Sequence, residues 1–85
     1  MAHSDENNRT PGSLRDSAAS AMERYFLDLD GQTTTDLYAV VMGEVEPPLL
    51  SAVMKYNRQN QSKAAAMLGV NRATLRKKLK QYDLL

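Results

Sequence analysis

The sequence predicts an all-α protein that ends in a basic helix-turn-helix. Four stretches place apolar residues at helical spacing, and short polar connections separate them. Charge is divided along the chain, because eight of the eleven Lys and Arg residues lie between Lys55 and Lys80, where Asp and Glu do not occur. Nine of the ten acidic residues precede that segment. The net charge of +1 therefore hides a basic segment suited to a polyanionic partner.

Composition limits the classes of protein that the chain can belong to. With 85 residues it is one small domain, and without cysteine it has neither disulfides nor thiolate metal sites. The only histidine is His3, and no nucleophile–base pair, metal cluster or phosphate loop is present, so we expect no enzyme activity, cofactor or metal. No apolar run approaches the roughly 18 residues of a membrane span, and the start MAHSDENN lacks the features of a secretory signal. These observations predict a soluble, cytoplasmic protein that gains stability as an oligomer.

The chain divides by composition into a leader and a folded domain. Residues 1–12 contain almost nothing apolar and end in the turn pair Pro11–Gly12, which predicts a flexible leader. We expect residues 13–57 to form dimerisation helices and residues 58–85 to form the helix-turn-helix. Together they make one folded domain, residues 13–85.

The first two helix patterns differ in how much of their surface is apolar. Ser13 caps the first, and Gly31 ends it as a C-cap residue. Thr33 to Asp36 supply the cap of the second helix, whose apolar residues between Leu37 and Tyr56 cover nearly the whole circumference. Because 85 residues cannot surround such a helix, the pattern predicts that two copies of the chain pack together.

Pro47 and Pro48 interrupt the second helix pattern. Each proline removes an N–H and clashes with the preceding turn, at a cost of about 3 kcal/mol. The segment is then either two helices broken at Glu46 or one kinked helix. We favour the kinked helix, because the apolar pattern resumes at Leu49–Leu50 without a polar gap.

The C-terminal segment has the spacing of a helix-turn-helix. Asn60 caps a helix that runs to Leu68, Gly69 allows the positive φ of a tight turn, and Asn71 caps a last helix over Arg72–Tyr82. The small Ala65 lets the two helices cross closely, while Val70 and Leu75 are predicted to point inward.

The last helix has one face suited to the DNA major groove. Ala73 allows close approach, and Arg76 and Arg72 can each reach the O6 and N7 acceptors of a guanine. Thr74 suits a phosphate or a thymine methyl group, and the lysines suit phosphates. Side chains at the starts of the two helices take phosphate oxygens. The predicted DNA-binding residues are Asn60, Ser62, Lys63, Asn71, Arg72, Thr74, Arg76, Lys77, Lys78 and Lys80.

The basic helix has three interpretations other than DNA binding. Its lysines could form a solvated face, contact an acidic membrane, or belong to a helical adaptor that binds protein. The combination of Ala65, Gly69, Val70 and a capped basic helix, with no acid from residue 55 to 82, favours DNA.

Two stretches also carry a family resemblance. LRDSAASAMERYFLDLDG and DLYAVVMGEVEPPLLSAVMKYNRQNQSKAAAMLGVNRATLRKKLKQY resemble the Fis family, the factor for inversion stimulation, over roughly the last 72 residues. The resemblance implies four helices per subunit, an intertwined homodimer and a helix-turn-helix at each end. A proline at the position of Pro48 is a family feature, whereas Pro47 departs from the pattern. The matching positions that contact DNA are Asn71, Arg72, Thr74, Arg76, Lys77 and Lys80, with the Asn60/Ser62 region.

The resemblance further implies a bacterial nucleoid-associated protein that regulates transcription and bends DNA at degenerate sites, reading them partly through DNA shape. RNA polymerase is a candidate partner. The short leader lacks an alternating strand pattern, which argues against contact with a recombinase. The alternative is an isolated C-terminal DNA-binding and dimerisation domain of a larger nitrogen-regulatory-type activator. Met1 and the two-helix dimer unit favour a free-standing protein.

Overall fold

The structure, a computed structural model, describes the backbone from residue 11 and the side chains from residue 13. Within these residues every regular element is a helix, as the all-α prediction requires. The helices are α1 (Pro11–Leu29), α2 (Leu37–Tyr56), α3 (Gln61–Leu68) and α4 (Arg72–Gln81). The chain divides into two compact units, Met1–Thr35 and Asp36–Leu85. The predicted leader falls mainly outside the described residues.

α1 begins three residues earlier than the sequence predicts, because a cap at Ser13 would make Leu14 the first helical residue. Pro11 and Gly12, expected as a turn, lie in its first turn, and Ser13 is inside the helix. Proline is tolerated there because the first N–H groups of a helix have no intrahelical acceptor. The predicted end is confirmed: Gly31 adopts a φ of 83°, and Asp30 also has a positive φ of 51°.

α2 is one continuous helix through Pro47 and Pro48, which confirms the unbroken alternative. Asp36 occupies the N-cap position, but its side chain makes no capping hydrogen bond. In an α-helix the N–H groups that the prolines lack would bond the carbonyls of Gly43 and Glu44. This stretch of α2 therefore lacks two of its backbone hydrogen bonds.

The core of the second unit lies where α2, α3 and α4 meet. Six apolar residues are buried, two from each helix: Leu50, Met54, Ala64, Ala65, Leu75 and Leu79. Val53, Leu68, Tyr82 and Leu84 pack around them. The second half of α2 therefore anchors the helix-turn-helix.

Most of the apolar surface of α2 stays uncovered in the single chain. Only Leu50 and Met54 are buried, whereas Tyr38, Val45 and Leu49 are exposed. By length and composition α2 could also cross a membrane, so the expectation that no segment approaches such a span is wrong. Glu44 and Glu46 lie near its middle, where a membrane interior penalises a charge by roughly 2.5–3.5 kcal/mol. Core helices pass the same test, and the two carboxylates favour cover by protein.

Candidate nucleic-acid interface

The first helix of the helix-turn-helix is fixed at its start by Asn60. This residue has extended backbone angles, and its side-chain oxygen accepts the N–H of Lys63 at 3.0 Å. The predicted cap is confirmed. Because a helix begins with N–H groups that lack intrahelical acceptors, the amides of the first turn remain suited to an anion. Ser62 and Lys63 are exposed at this end, whereas Gln61 is half-buried.

The turn depends on Gly69, which has the predicted positive φ, 80°. Its N–H donates to the carbonyls of Ala65 at 2.9 Å and Ala66 at 3.2 Å, and the N–H of Val70 donates to Ala65 at 3.1 Å. Ala65 is buried, as a close helix crossing requires. Val70, predicted to point inward, is 40% exposed instead.

α4 begins with the same kind of cap as α3. The side-chain oxygen of Asn71 accepts the N–H of Thr74 at 2.8 Å, which confirms the second predicted cap. Leu75 and Leu79, one turn apart, are fully buried. Tyr82, predicted as the last helical residue, is the C-cap and is half-buried. The core thus fixes which side of α4 faces away from the protein.

The side of α4 opposite Leu75 and Leu79 is the reading face, defined as Ala73, Arg76, Lys77 and Lys80. These four residues are exposed, and so is Arg72 at the start of the helix. Thr74 lies at the edge of this face and is exposed as well. Of the ten predicted DNA-binding residues, nine are exposed: Asn60, Ser62, Lys63, Asn71, Arg72, Thr74, Arg76, Lys77 and Lys80.

Lys78 is the exception, because it faces α2. Its Nζ lies 3.0 Å from Oε2 of Glu46 and donates to Oε1 of the same carboxylate at 3.3 Å. The hydroxyl of Tyr82 donates to that Oε1 at 2.6 Å. Lys78, expected to meet a phosphate, is thus already paired within the chain.

Sequence reasoning missed Glu46 and Tyr82 as neighbours of the site. Lys78 and Tyr82 share one face of α4 by their spacing, but 32 residues separate Lys78 from Glu46. The hydrogen bonds from Tyr82 and Lys78 lower the pKa of the Glu46 carboxyl, and the bond to Glu46 raises the pKa of the Tyr82 hydroxyl. The carboxylate therefore stays ionised, and the phenol protonated, at neutral pH.

The capped helix pair, the glycine turn and the exposed basic face define a helix-turn-helix protein. Comparison with known proteins identifies which kind. The family model described as "Bacterial regulatory protein, Fis family" matches residues 41–82, and "DNA-binding protein Fis N-terminal domain" matches residues 1–34. The second match begins in the predicted leader.

Individual relatives agree with the family models. The DNA-binding protein Fis of Actinobacillus succinogenes is 58% identical over 71 residues, which cover 84% of this chain and 72% of the relative. Proteins of the same name from Yersinia enterocolitica and Pectobacterium carotovorum are 56% identical over the same shares. The chain belongs to the Fis family, which consists of DNA-binding regulatory proteins and not of enzymes.

Proposed function

We propose that the chain is a homodimeric, nucleoid-associated transcription regulator that binds and bends duplex DNA in the cytoplasm. Two copies of α4 enter the major groove, and the starts of α3 and α4 hold the phosphates on either side. The observation that carries the proposal is the exposed reading face. It combines Arg76 with two lysines on one side of a helix that the core fixes from the other side, and Arg72 is exposed at the start of the same helix.

Each exposed residue has a role in this proposal. Arg72 and Arg76 bond guanine edges, because a guanidinium matches the O6 and N7 acceptors. Lys63, Lys77 and Lys80 bond phosphates, as do Asn60, Ser62, Asn71 and Thr74 at the two helix starts. Lys78 is left out of the set, since Glu46 holds it.

Salt dependence tests DNA binding. A dimer that neutralises about six to ten phosphates loses about 10³–10⁵-fold in affinity between about 50 and 200 mM salt. We expect this fall in a fluorescence titration of a labelled duplex. Absent or salt-insensitive binding would show that the basic face serves another purpose.

Two variants separate base reading from backbone attraction. Arg76→Ala should cost about 1–3 kcal/mol on a preferred site and less on random duplex, because only the preferred site offers the guanine. Lys80→Ala is the matched control on the same face and should weaken binding to both duplexes alike. If both variants lose equally on both duplexes, Arg76 does not read bases.

The uncovered surface of α2 supports the homodimer. A helix with exposed Tyr38, Val45 and Leu49 next to buried Leu50 and Met54 presents apolar surface that a second copy can cover. We expect sedimentation equilibrium to give twice the chain mass. Leu49→Glu should shift the protein toward monomer, whereas Leu85→Glu, also at an exposed leucine, should not. A monomeric wild type at micromolar concentration would contradict the proposal.

Bending is proposed from the family resemblance, which implies that the recognition helices stand closer than the roughly 34 Å repeat of the major groove in straight DNA. A bent complex migrates more slowly when the site lies at the centre of a fragment than at its end. Mobility that is independent of site position would count against bending.

The match to the N-terminal domain of DNA-binding protein Fis, in addition to the helix-turn-helix, favours this function over an isolated domain of a nitrogen-regulatory-type activator. RNA polymerase stays a candidate partner. The expectation against recombinase contact rests on the leader, which lies outside the described residues.

A further inference from the structure

The carboxylate of Glu46 connects α2 to the C-terminal end of α4. Glu46 lies on α2 directly before Pro47–Pro48, and it accepts from Lys78 of α4 and from Tyr82, the C-cap of that helix. The side chain of Glu46 is 22% exposed and that of Lys78 is 37% exposed, so the pair lies at the edge of the protein. A charged pair in this setting stays in reach of solvent.

Lys78 is well placed to reach DNA if it were free. It follows exposed Thr74 by one turn, on the same strip of α4 beside the reading face. A lysine stem released from Glu46 would extend from the margin of that face toward the phosphate backbone. The structure instead turns its Nζ toward α2, where the carboxylate neutralises it.

We propose that Glu46 limits the affinity for the DNA backbone by acting through Lys78, which it holds as an internal counterion away from the DNA phosphates. The proposal rests on the DNA-binding function proposed above. Phosphate contacts attract every DNA sequence equally, whereas base contacts discriminate. Removing one lysine per protomer from the backbone contacts lowers the affinity for every sequence by the same factor and leaves the discrimination by Arg72 and Arg76 intact. Glu46 is therefore a positioning residue that sets the strength and the salt dependence of binding.

Tyr82 stabilises the Glu46–Lys78 pair through a neutral hydroxyl group. Its hydroxyl donates to the same carboxylate at 2.6 Å, one turn beyond Lys78 on α4. The carboxylate accepts from both groups, and these bonds together keep it ionised and directed at α4. Tyr82→Phe removes one hydrogen bond and keeps the ion pair, which makes it a matched control.

The test is the salt slope of binding to random-sequence duplex, measured with the full chain. Glu46→Gln keeps the size of the side chain and frees Lys78. With one additional phosphate contact per protomer, the slope should steepen by about 0.9 per protomer, or about 1.8 per dimer. Affinity should then fall about tenfold more than that of wild type between about 50 and 200 mM salt. Tyr82→Phe should keep the wild-type slope.

Variants of Lys78 complete a double-mutant cycle with Glu46→Gln. Lys78→Gln alone should leave the slope unchanged, and Glu46→Gln combined with Lys78→Gln should return it to the wild-type value. A shallower slope for Lys78→Gln would show that this lysine already contacts phosphate and would overturn the proposal. An unchanged slope for Glu46→Gln, or an equal change for Tyr82→Phe, would also overturn it.

The same titration separates this inference from the proposed function. If wild type binds duplex without salt dependence, the DNA-binding proposal fails. If wild type shows the expected slope and the Glu46 and Lys78 variants do not follow the pattern, only the role of Glu46 fails. Should Glu46→Gln not fold, as judged by circular dichroism, Lys78→Gln still decides between a paired and a DNA-bound lysine.

Discussion

Gly69→Ala tests whether the turn between α3 and α4 depends on backbone conformation alone. Gly69 has a φ of 80°, and a Cβ built on it would meet no atom within 4 Å. The substitution therefore adds no clash, and its cost is that of holding alanine in the left-handed region, about 1–2 kcal/mol. Alanine also restricts the unfolded chain, which offsets about 0.4–1 kcal/mol. We expect a net loss of about 1 kcal/mol in the free energy of unfolding.

Urea unfolding at a fixed chain concentration measures this loss, which should appear as a lower midpoint with an unchanged m-value. Gly69→Asn should cost less, because asparagine tolerates the left-handed region better than alanine. Gly43→Ala is the contrasting control: Gly43 lies inside α2, also with no atom within 4 Å, and alanine should stabilise a helix interior by about 0.5–1 kcal/mol. Equal losses for Gly69→Asn and Gly69→Ala, or no loss for either, would refute the backbone explanation.

Other consequences of the structure are open to measurement. Leu79→Ala should cost about 2–5 kcal/mol in urea unfolding, because Leu79 is fully buried, whereas Leu85→Ala should stay within about 0.5 kcal/mol. The pKa of Glu46 is lowered by folding, so its contribution to stability is present above the unfolded pKa of about 4.3 and is lost as the pH falls through the lower folded value. Acid unfolding monitored by circular dichroism should therefore be less steep in Glu46→Gln, and identical curves would contradict this. The raised pKa of Tyr82 affects stability at alkaline pH. Its contribution is present below about pH 10 and is lost as the pH rises through the folded value. The ultraviolet absorbance of wild type compared with that of Tyr82→Phe will detect this titration.

The helix-turn-helix could be predicted closely because its signals are local. Asn60 and Asn71 bond amides three residues later, and Gly69 supplies its own backbone angle. These interactions depend on residues that are neighbours in the sequence, so spacing is enough to find them. The family resemblance, carried by the same residues, is confirmed by the comparisons.

The pairing of Lys78 with Glu46 could not be predicted from local spacing. Its position at the edge of the reading face is a matter of helical spacing, but its partner comes from a helix 32 residues away. Only the packing of α2 against the helix-turn-helix brings the two charges together. Val70 shows the same limit, because whether an apolar turn residue is buried depends on how the helices on either side of the turn pack.

The uncovered apolar surface of α2 has a consequence for how the protein responds to its own abundance. In the proposed homodimer, the species that binds DNA forms by mass action from two chains. While most chains are single, the dimer concentration rises with the square of the chain concentration, so doubling synthesis quadruples the amount able to bind. A cell that changes production of this protein would thereby obtain a response steeper than the change itself. The side chains responsible, such as Leu49 and Val45 on α2, lie outside the reading face.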